Sequence, residues 1–127
     1  CSDRAPLTTS LGLCLLAAKA HGRMIVDGVF NAFRDVAGFE AECLQGRDLG
    51  FDGKTLIHPD QVAVANHVFG PSAEELDLAQ RQIAAYNAAL ANGQGVAVLD
   101  GKIVENLHIL SAQALIAKAR AIAAMQE

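Results

Sequence analysis

Three short stretches hold the residues whose types suit chemistry: Asp27-Gly28, His58-Pro59 with Gln61, and Asp100-Gly101-Lys102. Asp27 interrupts the apolar run Met24-Ile25-Val26. A carboxylate in such a run is costly unless it is paired or sits at a solvated strand end. It therefore reads either as a cap for the following loop or as a polar group at the mouth of a site. His58 precedes a proline, which has no N–H to give a sheet and forces its predecessor into an extended conformation. This spacing predicts an imidazole at the carboxyl end of a buried strand, with Gln61 able to reach the same space. In open α/β sheets and (β/α)8 barrels that end carries the chemistry. No serine or cysteine is placed as a nucleophile for His58, so it reads as hydrogen-bonded scaffold or as an acid/base without a triad. Asp100-Gly101 favours a β-turn. His21, His58, His67 and His108 have no metal-ligand spacing, and there is no GxGxxG or Walker loop.

Those residues need elements to hold them. Residues 6–21 read as a helix, with Leu7, Leu11, Leu15 and Ala18 at helical spacing and Gly22 just past its end. Residues 23–30 read as a strand, apolar on both faces as in a parallel sheet covered by helices. Asp35 is placed to cap a helix over 36–49 with Val36, Phe39 and Cys43 on one face, and Gly50 closes it. A second strand is expected at 54–58 and a short helix at 60–69. Helix, glycine and strand thus occur twice in order, a βα pattern that implies a parallel sheet.

Gly70-Pro71 breaks the chain. Ser72 and Glu75 form a capping box for a helix whose Leu76, Ala79, Ile83, Tyr86 and Leu90 make a narrow apolar seam, suited to another helix or subunit. Val96 to Leu99 reads as a short strand, followed by the Asp100 turn. A last helix is expected over 103–125, with Ile103, Leu107, Leu110, Ala114, Ala117 and Ala121 in line. Two strands cannot make a stable parallel sheet alone. The chain also begins with Cys1 and runs almost at once into an apolar helix. Both features read as a carboxyl-terminal piece of a longer protein, not stable as a monomer.

The composition is 52% hydrophobic and 5% aromatic with no tryptophan, which suits a helix-rich domain. No apolar run is read as approaching the ~18–20 residues of a membrane span. A net charge of −4 without a Lys/Arg cluster argues against nucleic acid. Cys1, Cys14 and Cys43 show no metal spacing and no CxxC, which reads as reduced thiols in a cytoplasmic protein.

Taken together, Ile25-Val26-Asp27-Gly28-Val29, Gly50-Phe51-Asp52-Gly53-Lys54 leading into Ile57-His58-Pro59-Asp60-Gln61, and Leu99-Asp100-Gly101-Lys102-Ile103-Val104 resemble the citrate lyase beta-subunit-like family of the HpcH/HpaI aldolase superfamily. That family includes malyl-CoA and citramalyl-CoA lyases and malyl-CoA thioesterases. The resemblance runs from about residue 11 to 122. It implies an α/β fold in which residues 1–70 are the last two βα units of a (β/α)8 TIM barrel. Residues 71–127 are then a helical extension packing on a neighbouring subunit of a trimer or hexamer.

The resemblance further implies Mg2+ holding a 2-oxo or hydroxy acid, with an arginine polarising the reacting carbonyl. The Asp matching Asp100 would reach the adjacent subunit's site as acid/base. Asp27, Gly28, His58, Pro59 and Gln61 would bind substrate. The family's metal ligands and its arginine lie on earlier strands, so Mg2+ ligands are expected outside this chain. The implied function is a Mg2+-dependent carbon–carbon lyase or thioesterase acting on a 3-hydroxyacyl-CoA such as malyl-CoA or citramalyl-CoA. The competing reading is a non-catalytic oligomerisation or acyl-CoA-binding module without the metal site. A split barrel completed by another chain is the alternative to a homo-oligomer.

Overall fold

A computed structural model describes residues 4–125, which form two units, one running to Gly70 and the other starting at Pro71. In the first, a 3-10 turn, Ala5–Leu7, leads into α1, Thr8–Ala20. Strand β1, Val26–Asp27, is followed by α2, Val36–Leu49, and then by β2, Gly53–Lys54. A second 3-10 turn, Pro59–Gln61, runs into α3, Val62–Phe69.

β1 and β2 are parallel, with Val26 opposite Gly53 and Asp27 opposite Lys54. Helix α2 is the crossover between them, as a parallel pair requires. The Asp35 side chain accepts the Gly38 N–H at 2.9 Å to start α2, and Gly50 ends it at φ 107°, where a side chain would be strained. Asp52 then fixes the register from both sides. Its N–H donates to the Ile25 carbonyl, and its carboxylate accepts the Ile25 N–H at 2.8 Å. The core packs Phe39 and Cys43 of α2 against Ala65 and Val68 of α3, with Phe30 tilted on Phe39.

The expected strands over 23–30 and 54–58 shorten to two residues each, because each has one ladder partner. Met24 and Val26, expected to be covered on both faces, are 81% and 53% exposed. The stretch from Thr55 to His58 leaves the ladder after the Thr55 N–H donates to the Asp27 carbonyl. The Ile57 N–H is then taken by the Gln61 side chain. His58 therefore stands at the start of a 3-10 turn, not at the end of a buried strand. On α2, Phe39 and Cys43 are buried as the pattern indicates, while Val36 is exposed.

The second unit begins with α4, Ala73–Ala91, whose capping box joins Ser72 and Glu75 reciprocally. Strands β3, Ala97–Leu99, and β4, Lys102–Val104, form an antiparallel hairpin, and α5, Asn106–Ala124, follows. Leu99 pairs with Lys102, leaving the two-residue loop Asp100-Gly101 with φ of 50° and 74°. Positive φ at both positions is the type I′ condition, and Asp-Gly is a favoured pair for it.

Two expectations are corrected here. The last helix starts at Asn106, because Ile103 and Val104 are β-branched and pair across the Asp-Gly turn. Its buried residues are Ile109 and Ala112, while Leu107, Leu110, Ala114, Ala117 and Ala121 are exposed. The seam on α4, expected to meet another helix or a subunit, packs against α5 and the hairpin. Tyr86 and Ala89 pack with Ala97, Val104 and Ile109 into one core, flanked by Ile83, and Leu90 points away. In addition, α5 is long and apolar enough to cross a membrane by length and composition alone, contrary to the reading that no run approaches span length.

Candidate functional site

Asp27 is the centre of a buried ion network in the first unit. It is 2% exposed, and both oxygens are taken. Oδ1 accepts from Arg4 Nη1 at 2.8 Å and from the Gly28 N–H at 2.8 Å. Oδ2 accepts from Arg4 Nη1 at 2.7 Å and from Lys54 Nζ at 2.9 Å. Lys54, whose side chain is fully buried, also donates to Glu42 Oε1 at 2.6 Å. Arg4 Nε donates to Gln45 Oε1 at 3.0 Å. Gly46 makes room for this on α2, since a methyl group there would lie 3.2 Å from Asp27 Oδ2. Two cations thus meet two carboxylates. Burial pushes the Asp27 carboxyl up, but hydrogen bonds from Lys54, Arg4 and Gly28 outweigh it and hold the group below its ordinary value of 3.8.

This network turns toward α2. Successive strand residues alternate faces, so Val26 and Gly53 present to the opposite face, where Val26 is half exposed. Asp27, read in the sequence either as a loop cap or as a group at the mouth of a site, here caps Gly28 and binds a pair of cations inside the unit. Gly28 is exposed and Pro59 opens the 3-10 turn, also exposed.

Gln61 is likewise buried, at 2% exposure. Its Nε2 donates to the Phe30 carbonyl at 3.0 Å, and its Oε1 accepts the Ile57 N–H at 3.0 Å. The amide staples the loop after β1 to the loop after β2. With both ends committed to backbone, it positions the loops that would frame the expected site mouth.

His58 is the polar side chain that remains accessible. Its ring stacks on Phe33 at 4.4 Å between centroids and 19° between planes, and Arg34 covers the same phenyl ring at 5.4 Å. His58 Nδ1 accepts the Asp60 N–H at 3.2 Å. An accepting Nδ1 puts the proton of the neutral ring on Nε2, so Nε2 is a donor. Strand-derived loops thus hold an oriented N–H donor near the carboxyl ends of β1 and β2.

In the second unit, Asp100 stands at the hairpin tip with its side chain 61% exposed. Its Oδ2 accepts from Arg81 Nη1 at 2.8 Å, and Arg81 Nε donates to Asp77 Oδ2 at 2.9 Å. The stretch is a turn, and its carboxylate is presented outward.

Among the described residues no group of three or more His, Cys, Asp or Glu side chains is placed to hold a metal ion. Asp27 and Glu42 converge but are already neutralised by Arg4 and Lys54, so they do not fit one. Cys14 is exposed and Cys43 buried, both free thiols, and burial pushes the Cys43 thiol up. Cys1 lies outside the described residues. Sequence reasoning missed Arg4, Glu42 and Lys54; the one available signal was Lys54, in the quoted glycine-rich turn.

No family model matches the chain. Over 122 residues it is 66% identical to the (3S)-malyl-CoA thioesterase of Cereibacter sphaeroides, covering 96% of this chain and 43% of that protein. Over 108 residues it is 41% identical to the L-malyl-CoA/beta-methylmalyl-CoA lyase of the same species, covering 85% of this chain and 34% of that one. The crystal structure of CitE from Mycobacterium tuberculosis in complex with magnesium, acetoacetate and coenzyme A is similar at a TM-score of 0.76 and 30% identity, covering 91% of this chain and 42% of that one. The chain spans less than half the length of these curated relatives.

Proposed function

We propose that the chain is a carboxyl-terminal portion of a citrate lyase beta-subunit-like protein, and part of an enzyme acting on a 3-hydroxyacyl-CoA such as malyl-CoA. The observation that carries this is the 66% identity to a malyl-CoA thioesterase along 96% of the chain. Identity to the lyase is lower, which favours thioester hydrolysis over carbon–carbon cleavage.

In this reading β1 and β2 are the last two strands of a (β/α)8 barrel, and the segment from Pro71 is the extension that packs on a neighbouring subunit. The parallel pair with a helical crossover and the uncovered Val26 support that arrangement. The oriented His58 Nε2–H contacts the substrate at the barrel mouth, with Gly28 and Pro59 shaping the loops around it. Asp100, carried to an adjacent subunit, takes the proton from the attacking water in hydrolysis; in cleavage it takes the substrate hydroxyl proton as the carbon–carbon bond breaks to a carbonyl and an acetyl-thioester enolate, and a proton is returned to the methyl carbon of that enolate. A positioned carboxylate base of this kind contributes about 10²–10⁴-fold. Magnesium belongs to the proposed enzyme with its ligands on the part of the protein outside this chain. The free thiols support a cytoplasmic setting.

The competing reading is a module that binds acyl-CoA or assembles subunits without catalysing. Malyl-CoA given to the full-length protein decides between them. Free CoA with malate marks a thioesterase, acetyl-CoA with glyoxylate marks a lyase, and neither product, with binding retained, marks the module.

A further inference from the structure

Asp100 is held by a side chain to which no function has been given. Arg81 sits on α4, one side of its guanidinium on Asp77 and the other on Asp100 Oδ2. Both pairs are exposed, and exposed ion pairs contribute little to stability. The geometry nevertheless does something specific. The type I′ turn fixes the backbone of Asp100 at φ 50°, but leaves its side-chain torsions free to rotate. The bond from Arg81 favours one orientation among them. Asp77, one helical turn before it, anchors Nε and so directs Nη1 at the hairpin tip. Only Oδ2 is engaged by Arg81, so Oδ1 is the oxygen with which the carboxylate would meet a proton.

We propose that Arg81 is a positioning residue that orients the Asp100 carboxylate for proton transfer. The proposal rests on the reading of Asp100 as the acid/base. Its energetic basis is orientation: displacing a reacting group by about 1 Å costs on the order of 10²-fold in rate. Loss of Arg81 is therefore expected in turnover and not in substrate affinity. Lysine keeps one charged bond to Oδ2 but lacks the planar fork that spans two carboxylates.

The test uses the full-length oligomeric enzyme with malyl-CoA, comparing wild type, Arg81→Gln, Arg81→Lys, Asp100→Asn and the double variant Arg81→Gln/Asp100→Asn. The expected result is a kcat roughly 10–100-fold lower for Arg81→Gln with KM within about twofold. Arg81→Lys should recover part of it, and Arg81→Gln should cost nothing further once Asp100 is already Asn. An Arg81→Gln enzyme with wild-type kcat, beside an inactive Asp100→Asn, overturns the positioning role while leaving Asp100 in place. A fully active Asp100→Asn overturns the reading of Asp100 and the proposal with it. Equal additional losses from Arg81→Gln in both backgrounds would show that Arg81 acts independently of Asp100, and would also overturn it.

Discussion

Lys54 Nζ lies 2.9 Å from Asp27 Oδ2, the two residues facing each other across the parallel ladder at its carboxyl end. The pair ties strand to strand at the point where both chains leave for their loops, and Glu42 ties it to α2. Removing one cation leaves the two carboxylates, Asp27 and Glu42, to share the other. In the full-length protein, Lys54→Met should lower unfolding free energy by about 3–5 kcal/mol, the usual penalty for breaking a buried pair. Denaturant midpoints at constant m-value measure this. A loss no larger than that of an exposed pair would mean that Arg4 alone suffices for Asp27.

The same carboxylate gives a pH dependence of known sign. Its folded-state value is held below the ordinary 3.8, so the ionised, paired form stabilises the fold fully above 3.8. That contribution is lost as pH falls from 3.8 through the lower folded-state value. The stability difference between wild type and Asp27→Asn should therefore shrink on acidification across that window. A difference that widens below pH 3.8 would contradict the pairing.

Gln61 predicts a mixed phenotype. Gln61→Leu keeps the bulk but orphans the Phe30 carbonyl and the Ile57 N–H, each worth about 1–3 kcal/mol when buried without a partner. The loops carrying Phe33 and His58 should loosen, raising KM more than the loss of stability alone would explain. Limited proteolysis cutting near residues 28–34 or 55–58 would report the loosening directly.

These residues also mark what the sequence could show. Asp35, Gly50, Ser72 and Asp100-Gly101 act through neighbours a few residues away, and each is found doing what its type and spacing indicate. The strand lengths were hidden because a strand extends only as far as its ladder partners do. α5 carries apolar residues on several faces, so periodicity offered more than one stripe, and packing with α4 and the hairpin selected Ile109 and Ala112. The Asp27 network joins residues far apart in the chain, which no local pattern can reveal. For Gln61, chain order gave the right neighbourhood but not the fact that both amide ends would be taken by backbone.

His58 should act on substrate affinity. Its ring is held by the Asp60 N–H and by stacking on Phe33, and the Asp60 carboxylate lies 3.4 Å from the same Nδ1, leaving Nε2 as the nitrogen that faces outward contacts. His58→Ala is expected to raise KM for malyl-CoA about 10-fold or more, the loss of one hydrogen bond to a charged group being about 1.5–3 kcal/mol, with kcat little changed. A collapse of kcat at unchanged KM would make the imidazole the proton-transfer group instead.

The decisive prediction concerns Asp100→Asn. Asparagine tolerates positive φ, so the type I′ hairpin and the core around Ala97 and Val104 should survive. As a turn residue alone, Asp100 would then be replaceable without effect. As the acid/base, its loss should lower kcat about 10²–10⁴-fold. Whether it serves its own chain or a neighbour follows from mixing. Asp100→Asn subunits are combined with subunits disabled at the proposed metal site, under conditions where exchange between oligomers is demonstrated. If Asp100 reaches an adjacent subunit, some interfaces in the mixed oligomers pair an intact metal half with an intact Asp100, and activity returns in part. If it works within its own chain, every site carries one defect and mixing restores nothing.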